Sequence, residues 1–242
     1  MTTPTTNRPR PQWMTAARIL IGAHLQLAAW LFGTGVIVLA VAHAAVSIYG
    51  FERYPMSWFG THGATWFAFA LAIIFVIAYL PLHVTSGMTR RSFIRANLTG
   101  VVLIGCLYGG ALGAISAIEA AIFDLTVPDF MHTLPGWSGP WLLAAGQSLL
   151  TAAGLLSGLL VAMAYYRTGP WRGTLLLVLT VAPVLLVIFA IDPSAPWQRL
   201  LWGPDATFNP VIGVLLSLVF LAAAAAAFTL ITRRVPIKSV EA

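Results

Sequence analysis

The sequence predicts an all-α, polytopic membrane protein of six transmembrane helices, with both its N-terminus and its C-terminus cytoplasmic. Three observations predict it. The 242 residues are 59% hydrophobic and only 8% charged, where a soluble domain is about half apolar and about a quarter charged; mean hydropathy is +0.88. Several unbroken apolar runs reach the roughly 18–20 residues that a helix needs to cross a bilayer. The few charges also separate by connection. Arg8, Arg10, Arg18, Arg90, Arg91, Arg95, Arg167, Arg172, Arg233, Arg234 and Lys238 fall on one side, and only Arg53 and Arg199 on the other. That is the positive-inside pattern.

The chain divides into a tail (1–22), a six-helix transmembrane domain (23–231) and a second tail (232–242). The opening "MTTPTTNRPRPQ" is too polar to bury itself. From Trp13 the chain reads either as a short interfacial helix, with Trp13, Ala17 and Leu20 on one face, or as a longer first span. The spans are Ala23–Ile48, Thr65–Leu82, Leu98–Phe123, Trp141–Tyr166, Gly173–Ile191 and Phe208–Ile231. The first is longer than the ~7–15 apolar residues of a signal peptide. No connection is long enough for a folded external domain. Glu52, Glu119, Asp124, Asp129, Asp192 and Asp205 map to the outer side, as do Trp58, Trp66, Trp137, Trp141, Trp197 and Trp202; indoles favour the membrane interface. In the last outer connection, "DPSAPWQRLLWGPDAT", Trp197, Leu200 and Leu201 suit one turn dipping into that interface.

Inside the spans, small residues recur at packing intervals: Gly105, Gly109 and Gly113 in the third, Gly154 and Gly158 in the fourth. Such rows bring two backbones close, either between subunits or within one bundle. Pro183 is expected to kink the fifth span. The polar residues within the spans are His24, Gln26, His43, Glu119 and Gln147. Glu119 either pairs with His43 near the outer side or marks the wet end of its helix. His62, His83 and His132 fall in connections, where water or headgroups meet them.

Chemistry is hard to place on these residues. A phosphate loop needs Gly-x-x-x-x-Gly-Lys and then Ser or Thr, and the only lysine is Lys238. The chain is therefore not expected to hydrolyse ATP, nor to be an enzyme, nor to carry a metal or other cofactor. Cys106 is the single cysteine, so neither an intrachain disulfide nor a cysteine metal cluster is available. The basic balance is a charge separation across the membrane, and it calls for membrane lipids and no nucleic acid.

One stretch stands apart. His83–Asn97, "HVTSGMTRRSFIRAN", packs three arginines and no acid into fifteen residues. Pro81 can end the second span, Gly87 allows a turn, and Thr89 can cap a short helix through Phe93 to Asn97. Met88, Arg91 and Arg95 then share one face, and Arg90, Phe93, Ile94 and Asn97 another. Topology alone asks for charge there and not for an exposed Phe. Arg with Met and Phe between them suit a protein-docking surface, or Phe93 and Ile94 lie down in the lipid interface.

The run Gly87, Met88, Thr89, Arg90, Arg91 and Phe93, placed after the second of six spans, resembles the membrane subunits of bacterial ABC exporters of the type-2 permease superfamily. The resemblance implies a coupling helix that inserts into a groove of a separate ATPase subunit, which holds the ATP and Mg. It implies a second permease subunit, the same chain or a different one, in a bacterial cytoplasmic (plasma) membrane. The family's interfacial helix corresponds to the segment from Trp13, and its outer hairpin to Asp192–Thr207. The other reading of the residues is a non-transporting scaffold or accessory subunit of a membrane complex.

Overall fold

The computed structural model describes residues 11–49, 57–123, 140–192, 197–203 and 209–234. Among them there are helices and no strands. The helices are α1 (Gln12–Tyr49), α2 (Ser57–Thr85), α3 (Arg90–Phe123), α4 (Pro140–Leu175), α5 (Leu177–Ile191), α6 (Trp197–Trp202) and α7 (Pro210–Arg233). Five of them, α1 to α4 and α7, are long and apolar enough to cross a membrane. The chain is a multi-pass membrane protein.

The first helix settles one open reading. Residues 12–49 form a single uninterrupted helix, and Ala16, Ala17 and Leu20 are buried against Leu71 and Phe75 of α2 and Ala96 of α3. The segment from Trp13 is the start of the long helix and not a separate piece lying on the surface. The cause is packing: small and apolar residues four apart find a partner in the bundle, which buries them better than an interface does.

The centre of the fold is α4. Every residue from Thr151 to Ala164 is buried, so this helix is enclosed by neighbours on all sides. Its small residues make that possible. Gly154 and Gly158 lie against the Thr65 and Phe69 carbonyls of α2, and Ser148 and Ala152 lie against Gly105 and Gly109 of α3. Ala153 sits in a cluster with Val184, Val187 and Ile191 of α5. Ala224 and Phe228 of α7 complete the main core. Of the two readings of the glycine rows, these four glycines serve packing within one chain. Gly113 is buried too.

These contacts fix the directions. Gly105 faces Ser148 and Ala152 while Gly109 faces Ala144 and Ser148, so α3 and α4 are antiparallel; α2 and α4 run together. The described arginines consequently sort by end. Arg18, Arg90, Arg91, Arg95, Arg167, Arg172, Arg233 and Arg234 collect at one end of the bundle, and Arg199 stands at the other with Glu119 and Asp192.

One local expectation is corrected. Pro81 does not end the second helix: α2 runs through it to Thr85, whose hydroxyl donates to the Pro81 and Leu82 carbonyls at 3.1 Å each. Pro183, expected to kink the fifth span, lies inside α5. The adjacent Val184 N–H donates to Ser157 Oγ of α4 at 3.3 Å, so a neighbour supplies an acceptor where the proline disturbs the ladder. In α4 the backbone leaves helical geometry at Gly169 (φ 78°, ψ 178°), just before Pro170. α5 itself begins after Leu176 and has 15 residues, about 22 Å of helix, short of the roughly 30 Å hydrocarbon core.

The short α6 also differs from its expected pose. Trp197 is buried, and its Nε1–H donates to the Phe189 carbonyl at 3.0 Å. Leu200 and Leu201 alone of the three face outward.

Candidate functional site

The turn joining α2 to α3 is tightly built. Gly87 takes a left-handed conformation (φ 75°); its N–H donates to the Val84 carbonyl at 3.0 Å, and the Met88 N–H donates to the His83 carbonyl at 3.1 Å. Those two bonds close the end of α2 in the Schellman manner, for which glycine is the favoured residue. Thr89 Oγ1 then accepts from Ser92 N–H at 3.2 Å and caps α3. The Ser92 hydroxyl donates back to the Thr89 carbonyl at 2.6 Å. Replacing Thr89 with Val keeps the shape and removes the acceptor, so unfolding free energy is expected to fall by about 1 kcal/mol. Thr89→Ser should recover it; an unfolding titration in detergent that shows Val and Ser alike removes the cap from this account.

His83 organises the turn from below. Its Nε2 lies 2.8 Å from Ser92 Oγ and 3.2 Å from the Thr89 carbonyl. The carbonyl can only accept, so Nε2 carries the proton. The same ring sits edge-on to Phe93, centroids 5.4 Å apart. Sequence reading left His83 to water. It is buried, and the signal that pairs it with Ser92 is only a helix end on either side of a glycine.

The two expected faces of His83–Asn97 are corrected here. No separate short helix forms; Arg90–Asn97 are the first turns of the long α3. Phe93 is 1% exposed, and Ile94 and Asn97 are buried with it. Met88 is turned against the Ala16–Leu20 cluster. Phe93, Ile94 and Asn97 are thus buried in the bundle and not offered to a partner, and Met88 is partly buried. Arg90 is half-buried and donates from Nη1 to the Arg233 carbonyl at 3.2 Å, tying the start of α3 to the end of α7. Arg91 and Arg95 are exposed, one turn apart.

No protein-family model, curated protein or solved structure matches this chain.

Apart from Gln26, which is exposed on α1, the remaining polar residues of the spans gather in two places. Gln147 of α4 is 1% exposed, and its Nε2 lies 3.1 Å from the Thr61 carbonyl, 3.0 Å from Thr65 Oγ1 and 3.2 Å from Thr151 Oγ1. This knot holds α2 to α4 and satisfies a buried amide. The threonines went unnoticed in the sequence because a hydroxyl at i, i+4 within an apolar run is commonplace.

The other place is the seam between α1 and α3. His43 Nε2 lies 3.0 Å from Glu119 Oε1, both side chains buried; the structure brings this pair together. Further along, Phe32 meets the Tyr108 ring edge-on, centroids 5.1 Å apart. His24 packs on Phe75, ring centroids 4.4 Å apart. Among the described residues no three His, Cys, Asp or Glu side chains come close enough to hold a metal ion.

Proposed function

We propose that the chain is the membrane-spanning permease subunit of an ATP-driven ABC exporter. In this reading it has six spans, the fifth built from α5 and the residues just before it, and the arginine-rich end of the bundle is cytoplasmic. The observation that carries the reading is the α2–α3 turn. It is capped from both sides and bonded from below, and it presents Arg91 and Arg95 outward at the end where the arginines collect. A rigid cationic knuckle is what a separate ATPase needs in order to transmit a stroke to the bundle. Guanidinium groups suit it because their planar fork pairs with carboxylates in a fixed geometry. The ATP and Mg belong to that partner, and a second permease subunit completes the assembly in a bacterial plasma membrane.

The test is copurification from membranes with a tagged chain, followed by ATP turnover of the reconstituted complex. The wild type is expected to bring down an ATPase subunit. Changing Arg91 and Arg95 together to Ala should weaken that association by about tenfold or more, the scale of losing one or two charge pairs at an interface. Membrane abundance and a C-terminal topology reporter should stay unchanged. An intact complex with the double variant removes the knuckle from the interface. A wild type that captures no ATPase points to the accessory-subunit reading instead.

A further inference from the structure

The seam between α1 and α3 has a regular register. Phe32 meets Tyr108 and His43 meets Glu119, each pair 76 positions apart, so the two helices run side by side in the same direction. The same offset sets His24 opposite Gly100, and there the seam opens. A cavity of about 20 Å³ lies between Leu20 and His24 of α1, Phe75 of α2, Asn97 and Gly100 of α3, and Leu155 of α4. His24 is 4% exposed, and neither of its ring nitrogens has a hydrogen-bond partner among the described residues.

We propose that this cavity is a binding site for one ordered water molecule, held between the ring of His24 and the side chain of Asn97. The size fits that ligand and little else, since one water needs at least ~10–15 Å³ of such space. The chemistry fits as well. A neutral imidazole has one donor and one acceptor nitrogen, and leaving a buried group of this kind unpaired is costly. The side chains of the other walls offer it nothing direct: those of Leu20, Ala72, Phe75, Val101, Ile104 and Leu155 are apolar, and the Leu20 carbonyl one turn back lies near the ring without closing a hydrogen bond to it. Asn97 lies in the same cavity, and its Nδ2 donates to the Phe93 carbonyl at 2.9 Å, which leaves its side-chain oxygen to accept from the water. Gly100 contributes no side chain that would fill the space.

The site has a consequence for α1. This helix is peripheral, with only 6% of its most apolar stretch buried, against 78% for α4. It is tied to α3 by the His43–Glu119 pair toward one end, and the bridging water supplies a second polar tie toward the arginine-rich end. The inference does not depend on the exporter reading, and its test needs neither partner nor ATP.

The first measurement uses the full chain in lipid nanodiscs, with its histidines labelled with ¹⁵N. The His24 resonance is identified by its loss in His24→Gln. Magnetisation from water should reach the His24 ring at short mixing times, although the ring is buried. Transfer as slow as that to the methyl groups of Val184 and Val187, which are fully buried in a separate cluster away from this cavity, would show a dry cavity and overturn the proposal. The second measurement is a thermal-unfolding cycle of His24→Leu, Asn97→Leu and the double variant. Each single change should lower the midpoint, and the double change should lower it by less than the two shifts added. Once the water is lost, the second polar group no longer misses it. Additive shifts would mean that the two side chains share no ligand. If a single variant fails to fold, the water transfer measured on the wild type decides the matter.

Discussion

Replacing Gly109 with Leu is expected to cost most of the folded protein. A Cβ built on Gly109 lands on the Ala144 carbonyl and on the backbone N–H and hydroxyl of Ser148. Two of those three atoms are backbone of the most buried helix in the chain, so they cannot swing aside as a side-chain tip would. Overpacking a core costs typically about 1–3 kcal/mol, and forcing two backbones apart belongs at the top of that range or above it. The adjacent Gly110 is the control: it is exposed, and no atom lies within 4 Å of its Cβ position. Gly110→Leu should therefore leave a monodisperse detergent peak and an unfolding midpoint close to wild type, while Gly109→Leu loses the peak by severalfold. Equal stability of the two variants would contradict the α3–α4 contact. A Gly110→Leu chain that stays folded but changes its assembly state would place a second subunit on that outer face.

Phe93→Ala should act through stability, at about 3–5 kcal/mol. The ring belongs to the main core with Ile94, Leu80 and Val101, and it supports His83, which in turn bonds Ser92 and Thr89. Removing it opens a cavity under the turn and loosens the position of Arg91 and Arg95 together. An isolated surface change such as Arg91→Ala should stay within about 0.5 kcal/mol of wild type. The two variants thus separate the roles: equilibrium unfolding should detect Phe93→Ala and not Arg91→Ala, and partner capture should detect both. A Phe93→Ala protein with normal stability and impaired partner capture would return Phe93 to the surface, as an anchor in the interface.

The misplacement of Phe93 shows where sequence reading stops. An arginine-rich connection with Phe and Ile in it reads equally well as a docking face or as the buried start of a helix. The choice depends on what lies opposite, here Leu80 and His83 on a helix whose end at Thr85 the sequence misjudged at Pro81. Gly87 and Thr89 were legible because their roles are local, a left-handed turn and a first-turn acceptor. His83 was not, because its partner is across the turn.

His43 and Glu119 were legible as a candidate pair because ionisable residues are rare in an apolar run and both fall toward the same end. His24 stood on the same short list, with nothing in the sequence to say that it lines a cavity. Its environment is made by four helices, and only Leu20 and Asn97 hint at a wall.

What the sequence determined by itself is the set of properties that accumulate along the chain. Long apolar runs must become helices in lipid, since no water is there to satisfy an open backbone. The sorting of arginine by connection follows from the same count, and the structure collects those it describes, Arg199 excepted, at one end. What only the tertiary structure decided is how each helix is rotated. In a soluble protein the polar face announces the outside. Here the lipid-facing and core-facing residues are equally apolar, so the pattern carries no such signal. Which side of α3 carries the close contact, whether Phe93 points in, and whether His24 meets a cavity are set by which backbones can approach: Gly109 against Ala144, Gly158 against Phe69. Close approach is a property of two surfaces together, and no single run of residues contains it.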